Sequence, residues 1–280
     1  MSSVRFGISD RLHRCWEAVR ATGRKALIPY VTGGDPDLET TGAALQRFAE
    51  SGADVIEVGF PFSDPIADGP VIQRAVYRAL SRGVNVPRIF EAVHRVRGSF
   101  DQPLVALVYY NSVFDYGEAR FCQEARQAGF DGLMIPDLPL EEAESTHAAA
   151  AEAGLDLIYL AAPTTPDERL AAIAARATSF IYAISVTGVT GVRDTLPARV
   201  ETFLRRLRSV TDRPVAVGFG IGSGREARRL APLVDGIIVG SATVDRLSRP
   251  DGLEVATQFV RELRAALDGV EDPVAGDGKA

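Results

Sequence analysis

Short runs rich in β-branched residues alternate along this chain with longer amphipathic stretches, in which apolar residues recur three and four positions apart. The runs Ala26–Thr32, Val55–Phe60, Leu104–Tyr110, Gly132–Asp137, Leu155–Ala162, Phe180–Ser185, Val215–Gly220 and Gly236–Gly240 predict eight strands. The stretches between them predict helices, for example Phe121 to Gly129. Several helices stop at a glycine followed by an apolar residue, an aspartate and a strand: Gly52-Ala53-Asp54, Gly129-Phe130-Asp131, Gly154-Leu155-Asp156. Glycine just past a helix is the common left-handed stop.

Right-handed crossovers confine such alternation to an open doubly wound sheet or a closed barrel, and eight strands favour closure. The expected fold is therefore α/β, a single (β/α)8 TIM barrel. A helix over Asp10–Thr22 precedes the first strand and is expected to cap the barrel bottom. A long insertion, Pro61 to Arg82, follows the second strand and carries its own helix. The barrel domain is expected over residues 1–268. The remainder, 269–280, is rich in Gly, Asp, Pro and Ala and is expected to fray.

Composition narrows the partners more than the fold. The 280 residues suit one barrel domain, and 46% hydrophobic with 24% charged residues is ordinary globular usage. A net charge of −6 offers no basic surface to a nucleic acid. Arginines such as those of Arg205-Arg206-Leu207-Arg208 read as a solvated helix face. No apolar run reaches the roughly 18 residues of a membrane span, and the first nine residues lack the apolar core of a signal peptide. A cytoplasmic address is expected, with neither membrane nor nucleic acid as partner. Cys15 and Cys122 lie far apart in helical stretches and outline no disulfide framework.

In a barrel of this kind, chemistry gathers at the carboxyl ends of the strands. The second strand carries Glu57 among apolar neighbours, where desolvation would raise its pKa toward neutrality, as a group that both gives and takes a proton needs. A structural glutamate bonded to backbone is the alternative. The loop that follows, Pro61 to Pro70, packs three prolines, a glycine, Asp64 and Asp68 into ten residues, so it is stiffened rather than slack. Either aspartate could cap the helix that starts near Pro70, but capping does not explain the whole shaped segment. Strands seven and eight run into Gly218-Phe-Gly-Ile-Gly-Ser-Gly224 and Val239-Gly-Ser-Ala242, a pair of glycine-rich turns at the two strands where barrels bind phosphate. The segment Ser185 to Gly191 holds two Thr-Gly pairs and reads as a lid or as a merely mobile loop.

Absences restrict the reaction. The two lysines are Lys25, ahead of the first strand, and Lys279 in the tail, so a Schiff base at the barrel mouth is not available. His13, His94 and His147 all fall in helical stretches, away from strand ends, which argues against a histidine-held metal. No dinucleotide fingerprint is present. Carbon–carbon cleavage here would need a substrate whose own electron-rich ring accepts a proton at carbon.

Five segments carry a resemblance: Ile28 to Pro36, Glu57 to Pro70, Pro136-Asp137-Leu138-Pro139, Val186 to Gly191 and Gly218 to Ile221. Together they resemble the tryptophan synthase alpha subunit, from about residue 8 to 268. The resemblance implies cleavage of indole-3-glycerol phosphate to indole and glyceraldehyde 3-phosphate, with no cofactor. It implies Glu57 as the general acid and base, Asp68 as acceptor of the indole N–H, and Tyr182 as the tyrosine beside them. By the same matching, Gly191, Phe219, Gly220, Gly240 and Ser241 would hold the phosphate. Tyr30, Leu107 and Tyr109 would line the indole pocket, and Thr187, Gly188 and Thr190 would belong to the lid.

The implied partner is a pyridoxal-phosphate beta subunit in an alpha2beta2 tetramer, with Asp64, Asn111 and Pro139 facing it. Departures from the family pattern are few: Val186 stands where some members carry arginine, Tyr110 where a smaller residue is common, and Leu140 where proline is frequent. A stand-alone lyase releasing free indole would keep the same residues. A barrel retained only for regulation would have lost the acid–base pair, and another phosphate-binding barrel would lack the second-strand motif.

Overall fold

The computed structural model describes residues 7–184, 198–218 and 220–269. In chain order its elements are α1 (Asp10–Thr22), β1 (Ala26–Thr32), α2 (Leu38–Glu50), β2 (Ile56–Gly59), α3 (Pro70–Ser81), α4 (Val86–Val96), β3 (Leu104–Leu107), α5 (Tyr110–Tyr116) and α6 (Glu118–Ala128). They continue with β4 (Gly132–Met134), α7 (Glu144–Glu152), β5 (Asp156–Ala161), α8 (Asp167–Arg176), β6 (Ile181–Ile184), α9 (Ala198–Val210), β7 (Val215–Gly218), α10 (Gly224–Leu230), β8 (Gly236–Val239), α11 (Ser241–Leu247) and α12 (Gly252–Leu267). The strands pair in parallel in sequence order, and β8 closes on β1 to complete the barrel. Among the described residues no helix is long and apolar enough to cross a membrane.

Period-two alternation sorts the strand residues into two cores. Leu27, Ile56, Val58, Leu104, Leu133, Ile181, Val215 and Ile237 point outward into the layer shared with the helices. Ile28, Val105, Met134, Ile158, Ala216 and Ile238 fill the barrel interior, where Leu12 and Trp16 of α1 join them. The first helix therefore plugs the bottom, as its position before β1 predicted.

Aspartates lock the bottom rim. Asp54, Asp131 and Asp235 each precede one strand and accept an amide from the start of the strand before it: Leu27 N at 2.8 Å, Leu104 N at 3.1 Å and Val215 N at 2.7 Å. Asp131 is fully buried and also takes Ser9 Oγ (2.8 Å), Arg126 (3.1 Å) and Arg97 (3.3 Å). Asp156 receives the amides of Ile8 and Ser9, which ties the segment before α1 to β5.

The strand ladders end earlier than the apolar runs. The third strand stops at Leu107 rather than Tyr110, and the fourth at Met134 rather than Asp137. At the top rim the chain turns into loops whose amides find side chains instead. Asp137 Oδ1, for instance, accepts Tyr110 N at 2.8 Å, and Tyr110 already opens α5. That short helix was not foreseen. It is cut from α6 by Gly117, whose φ of 88° lies in the left-handed region.

Candidate active site

Glu57 belongs to the inward-facing set of β2, and Tyr30 of β1 is its register partner. Both line a cavity of about 780 Å3 at the carboxyl ends of the strands, together with Asp68, Leu107 and Tyr182. Glu57 is 1% exposed, and among the described residues neither carboxylate oxygen finds a hydrogen-bond donor. The alternative of a backbone-bonded structural glutamate is thereby ruled out. Burial without compensation pushes its carboxyl up to about 8.

The two tyrosines fit because the strands beside them carry glycine. A Cβ on Gly218 of β7 would lie 2.8 Å from the Tyr182 hydroxyl, and Gly59 of β2 makes room for Tyr30 in the same way. Burial raises both phenols above their usual range, and the negative charges of Glu57 and Asp68 add to the effect. Each therefore stays a neutral hydrogen-bonding group.

Asp68 arrives from the stiff loop after β2. Internal bonds shape that loop: Ile66 N donates to Asp64 O at 2.8 Å, and Asp68 N to Pro65 O at 3.1 Å. The N-cap of α3 is Gly69, with no side-chain cap, so the capping account of Asp64 and Asp68 fails. Asp64 turns outward and bonds Ser63, while Asp68 turns to the cavity. Burial pushes the Asp68 carboxyl up to about 6, partly offset by a hydrogen bond from Tyr109. At the far end of α3, Arg78 grips the buried Asp35 with two bonds of 2.7 Å, which fixes the inserted helix against the loop after β1.

Tyr109 differs from its expected place. It is not among the cavity-lining residues, whereas Tyr30 and Leu107 are. Its ring stacks on Phe62 at 5.1 Å, and its hydroxyl reaches Ala67 N and Asp68 Oδ2, each at 3.0 Å.

Gly220, Gly240 and Ser241 meet at the other side of the cavity, where β7 and β8 end. The first turn of α11 borders this corner, and first-turn amides lack intrahelical acceptors. Beside it, Ser223 caps α10, its Oγ accepting Glu226 N at 3.3 Å, while the Glu226 carboxylate takes Gly222 N at 2.7 Å. The expected phosphate contacts Gly191 and Phe219, and the lid residues Val186, Thr187, Gly188 and Thr190, lie outside the described residues.

Asp64, Asn111 and Pro139 are all exposed. Tyr110 bonds Glu118 at 3.3 Å, and Leu140 is buried. Lys25 donates to Val234 O at the bottom of the barrel, away from the cavity. Among the described residues no three His, Cys, Asp or Glu side chains gather as a metal site requires.

Several lining residues were missed. Met134, Leu160 and Ile238 share the inward parity of Glu57 and could have been found by counting along each strand. Val71, Ile72 and Asp245 come from helices α3 and α11, and no strand period points to them.

Comparison with known proteins agrees with the geometry. Residues 16–272 match the family model of the tryptophan synthase alpha chain. The chain is 49% identical over 263 residues to the tryptophan synthase alpha chain of Thermosynechococcus vestitus, covering 93% of this chain and 97% of that one. A chain of Mycobacterium tuberculosis tryptophan synthase superposes with a TM-score of 0.86 at 40% identity, covering 92% of this chain and 98% of that one. A chain of the tryptophan synthase a2b2 complex of Pyrococcus furiosus superposes with a TM-score of 0.82 at 38% identity, covering 86% and 98%.

Proposed function

The chain belongs to the tryptophan synthase alpha chain family, and from that premise we propose which of its residues carry the reaction. The activity is the cleavage of indole-3-glycerol phosphate to indole and glyceraldehyde 3-phosphate, a carbon–carbon lyase reaction. The observation that carries the assignment is the buried, unpartnered Glu57 facing one cavity with Asp68 and Tyr182.

At neutral pH the two carboxyls differ in state. Glu57, pushed up to about 8, holds its proton, whereas Asp68, at about 6, is ionised. Divergent pKa values in one site separate acid from base roles. Glu57 protonates C3 of the indole ring, and Asp68 accepts the ring N–H and stabilises the positive charge that develops there. The glycerol hydroxyl next to the scissile bond then loses its proton, for which the newly ionised Glu57 is the base. The carbonyl of glyceraldehyde 3-phosphate forms, the carbon–carbon bond breaks, and its electron pair restores the indole ring. Tyr182 and Tyr30 stay neutral and pack beside the reacting groups.

Leu107 and Tyr30 supply the apolar wall for the flat ring. The phosphate is assigned to Gly220, Gly240 and Ser241, with Gly191 and Phe219 completing the set. The lid role stays with Thr187, Gly188 and Thr190.

The partner in this proposal is a pyridoxal-phosphate beta subunit, in an alpha2beta2 tetramer like that of the Pyrococcus furiosus complex. Three large apolar side chains support such a contact: Ile66, Tyr77 and Phe114 are 82%, 74% and 63% exposed. Ile66 shares the β2 loop with Asp64, Phe114 shares α5 with Asn111, and Tyr77 stands on α3, which follows that loop. Pro139 is assigned to the same face. A cytoplasmic address accords with two unpaired cysteines.

The test is indole release from indole-3-glycerol phosphate, with and without a beta subunit. The proposal expects cleavage by the isolated chain and a faster rate in the complex. No effect of the beta subunit would favour a stand-alone lyase, and an active Glu57→Gln variant would overturn the catalytic assignment.

A further inference from the structure

We propose that Tyr109 is a positioning residue for Asp68: its hydroxyl ties the carboxylate and the backbone of the β2 loop to the barrel frame. Three observations carry this. The hydroxyl donates to Asp68 Oδ2 at 3.0 Å and accepts from Ala67 N at 3.0 Å, so both bonding directions of one phenol are used on adjacent loop residues. The ring is 1% exposed and stacked on Phe62, with centroids 5.1 Å apart and planes 23° from parallel. Tyr109 itself is the N-cap of α5, two residues beyond β3, so its backbone moves with the barrel.

The loop's own bonds set its local turns, through Ile66 N to Asp64 O and Asp68 N to Pro65 O. Those bonds stay within the loop. The phenol instead spans from β3 to the β2 loop, and it aims one oxygen of Asp68 while leaving the other for a ligand. A donor to a carboxylate also favours its charged form. Tyr109 thus both orients Asp68 and keeps it ionised in a site that burial would otherwise neutralise.

Other charged or titratable groups around this cavity are Tyr30 on β1, Glu57 on β2, Tyr182 on β6 and Asp245 on α11. Asp137, from the loop after β4, acts electrostatically on Tyr109. Among the described residues none of these donates a hydrogen bond to Asp68, so Tyr109→Phe removes the two bonds of the hydroxyl, to Asp68 Oδ2 and from Ala67 N, and retains the ring.

The inference rests on the reading that Asp68 receives the indole N–H, but its test does not. The carboxyl carbons of aspartate are isotopically labelled, and Asp68 is titrated by NMR in the full-length protein and in Tyr109→Phe. The expected result is an Asp68 midpoint about half a pH unit or more higher in the variant. An unchanged midpoint overturns the proposal, whatever the activity. In kinetics, Tyr109→Phe should lower kcat/KM about tenfold and shift its acidic limb upward. A purely structural role would lower thermal stability and leave that limb in place. In an Asp68→Asn background, Tyr109→Phe should have no further effect on kcat/KM, and additive losses count against it.

Discussion

The hydroxyl of Tyr30 occupies the space that any side chain on Gly59 would need: an ideal Cβ there would lie 1.9 Å from the phenolic oxygen. Tyr30 is 3% exposed and its hydroxyl bonds Thr32 Oγ1 at 3.3 Å, so the ring has little room to retreat. Gly59→Ala should therefore displace one wall of the cavity. Overpacking of this kind costs about 1–3 kcal/mol, and kcat/KM should fall with it. Guanidinium unfolding is the check, and an alanine variant as stable and active as the wild type would refute the packing argument.

Glu57→Gln should abolish cleavage, by at least ~10²-fold, while stabilising the fold at high pH. The carboxyl is raised from 4.5 to about 8 in the folded chain. Across that window the folded protein keeps a proton that the unfolded chain has released. Wild-type stability is thus highest below the unfolded value, falls as pH rises toward 8, and levels off above it. Glutamine lacks the titration. The stability advantage of the variant should grow across the window, by at most about 5 kcal/mol for a shift of this size. Denaturation at about pH 5 and about pH 9 decides it; a constant difference means that Glu57 is not an uncompensated buried acid.

Cleavage should show a bell-shaped dependence of kcat/KM on pH. The acidic limb reflects Asp68, which must be ionised and titrates at about 6, and the alkaline limb reflects Glu57, which must be protonated and titrates at about 8. Asp68→Asn should lose most activity and, in what remains, the acidic limb. A limb that persists unchanged in Asp68→Asn belongs to another group.

Asp131→Asn should destabilise without touching catalysis. Asp131 is fully buried at the barrel bottom, and Arg97, only 8% exposed, depends on it. Removing one member of a buried ion pair costs about 3–5 kcal/mol. Barrel bottoms serve stability and barrel tops serve chemistry, so kcat and KM should match the wild type wherever the variant is folded. A variant with altered KM and unchanged melting temperature would contradict this division.

Ile66→Asp should weaken association with a beta subunit about tenfold or more, since a charge replaces a large apolar contact. Ile66 is 82% exposed, so the thermal unfolding of the isolated chain should hardly change. Isothermal titration with the beta subunit measures the first part. Unaltered affinity would move the interface off this loop.

Much of the barrel is legible in the amino-acid sequence. The runs from Ala26 and from Gly236 were recognisable as strands because β-branched residues cluster there, and their closure into a barrel follows from strand number and crossover hand. Their ends were less legible. Tyr109 and Tyr110 continue the apolar run of the third strand, yet Tyr110 starts a helix, because at the rim Asp137 competes for its amide. The inserted helix was foreseen near Pro70, but Asp68 was open to reading as its cap. The uncapped Gly69 at the start of α3, the hydrogen bond to Tyr109 and the place of Asp68 on the cavity wall separate the two roles.

Local pattern alone was sufficient for the alternation of elements, the placing of Glu57 within an apolar strand, the stiffness of the β2 loop and the paired glycine turns. Each of these depends on neighbours within a few residues. Tertiary structure decided how far burial raises each carboxyl, which tyrosines line the cavity and which one bonds the loop. Those outcomes depend on desolvation and on partners brought together from β1, β2, β3 and β6, far apart in the chain. Burial in the closed barrel, with no donor among the described residues, raises the Glu57 carboxyl, and the Tyr109 hydroxyl offsets part of the same effect at Asp68.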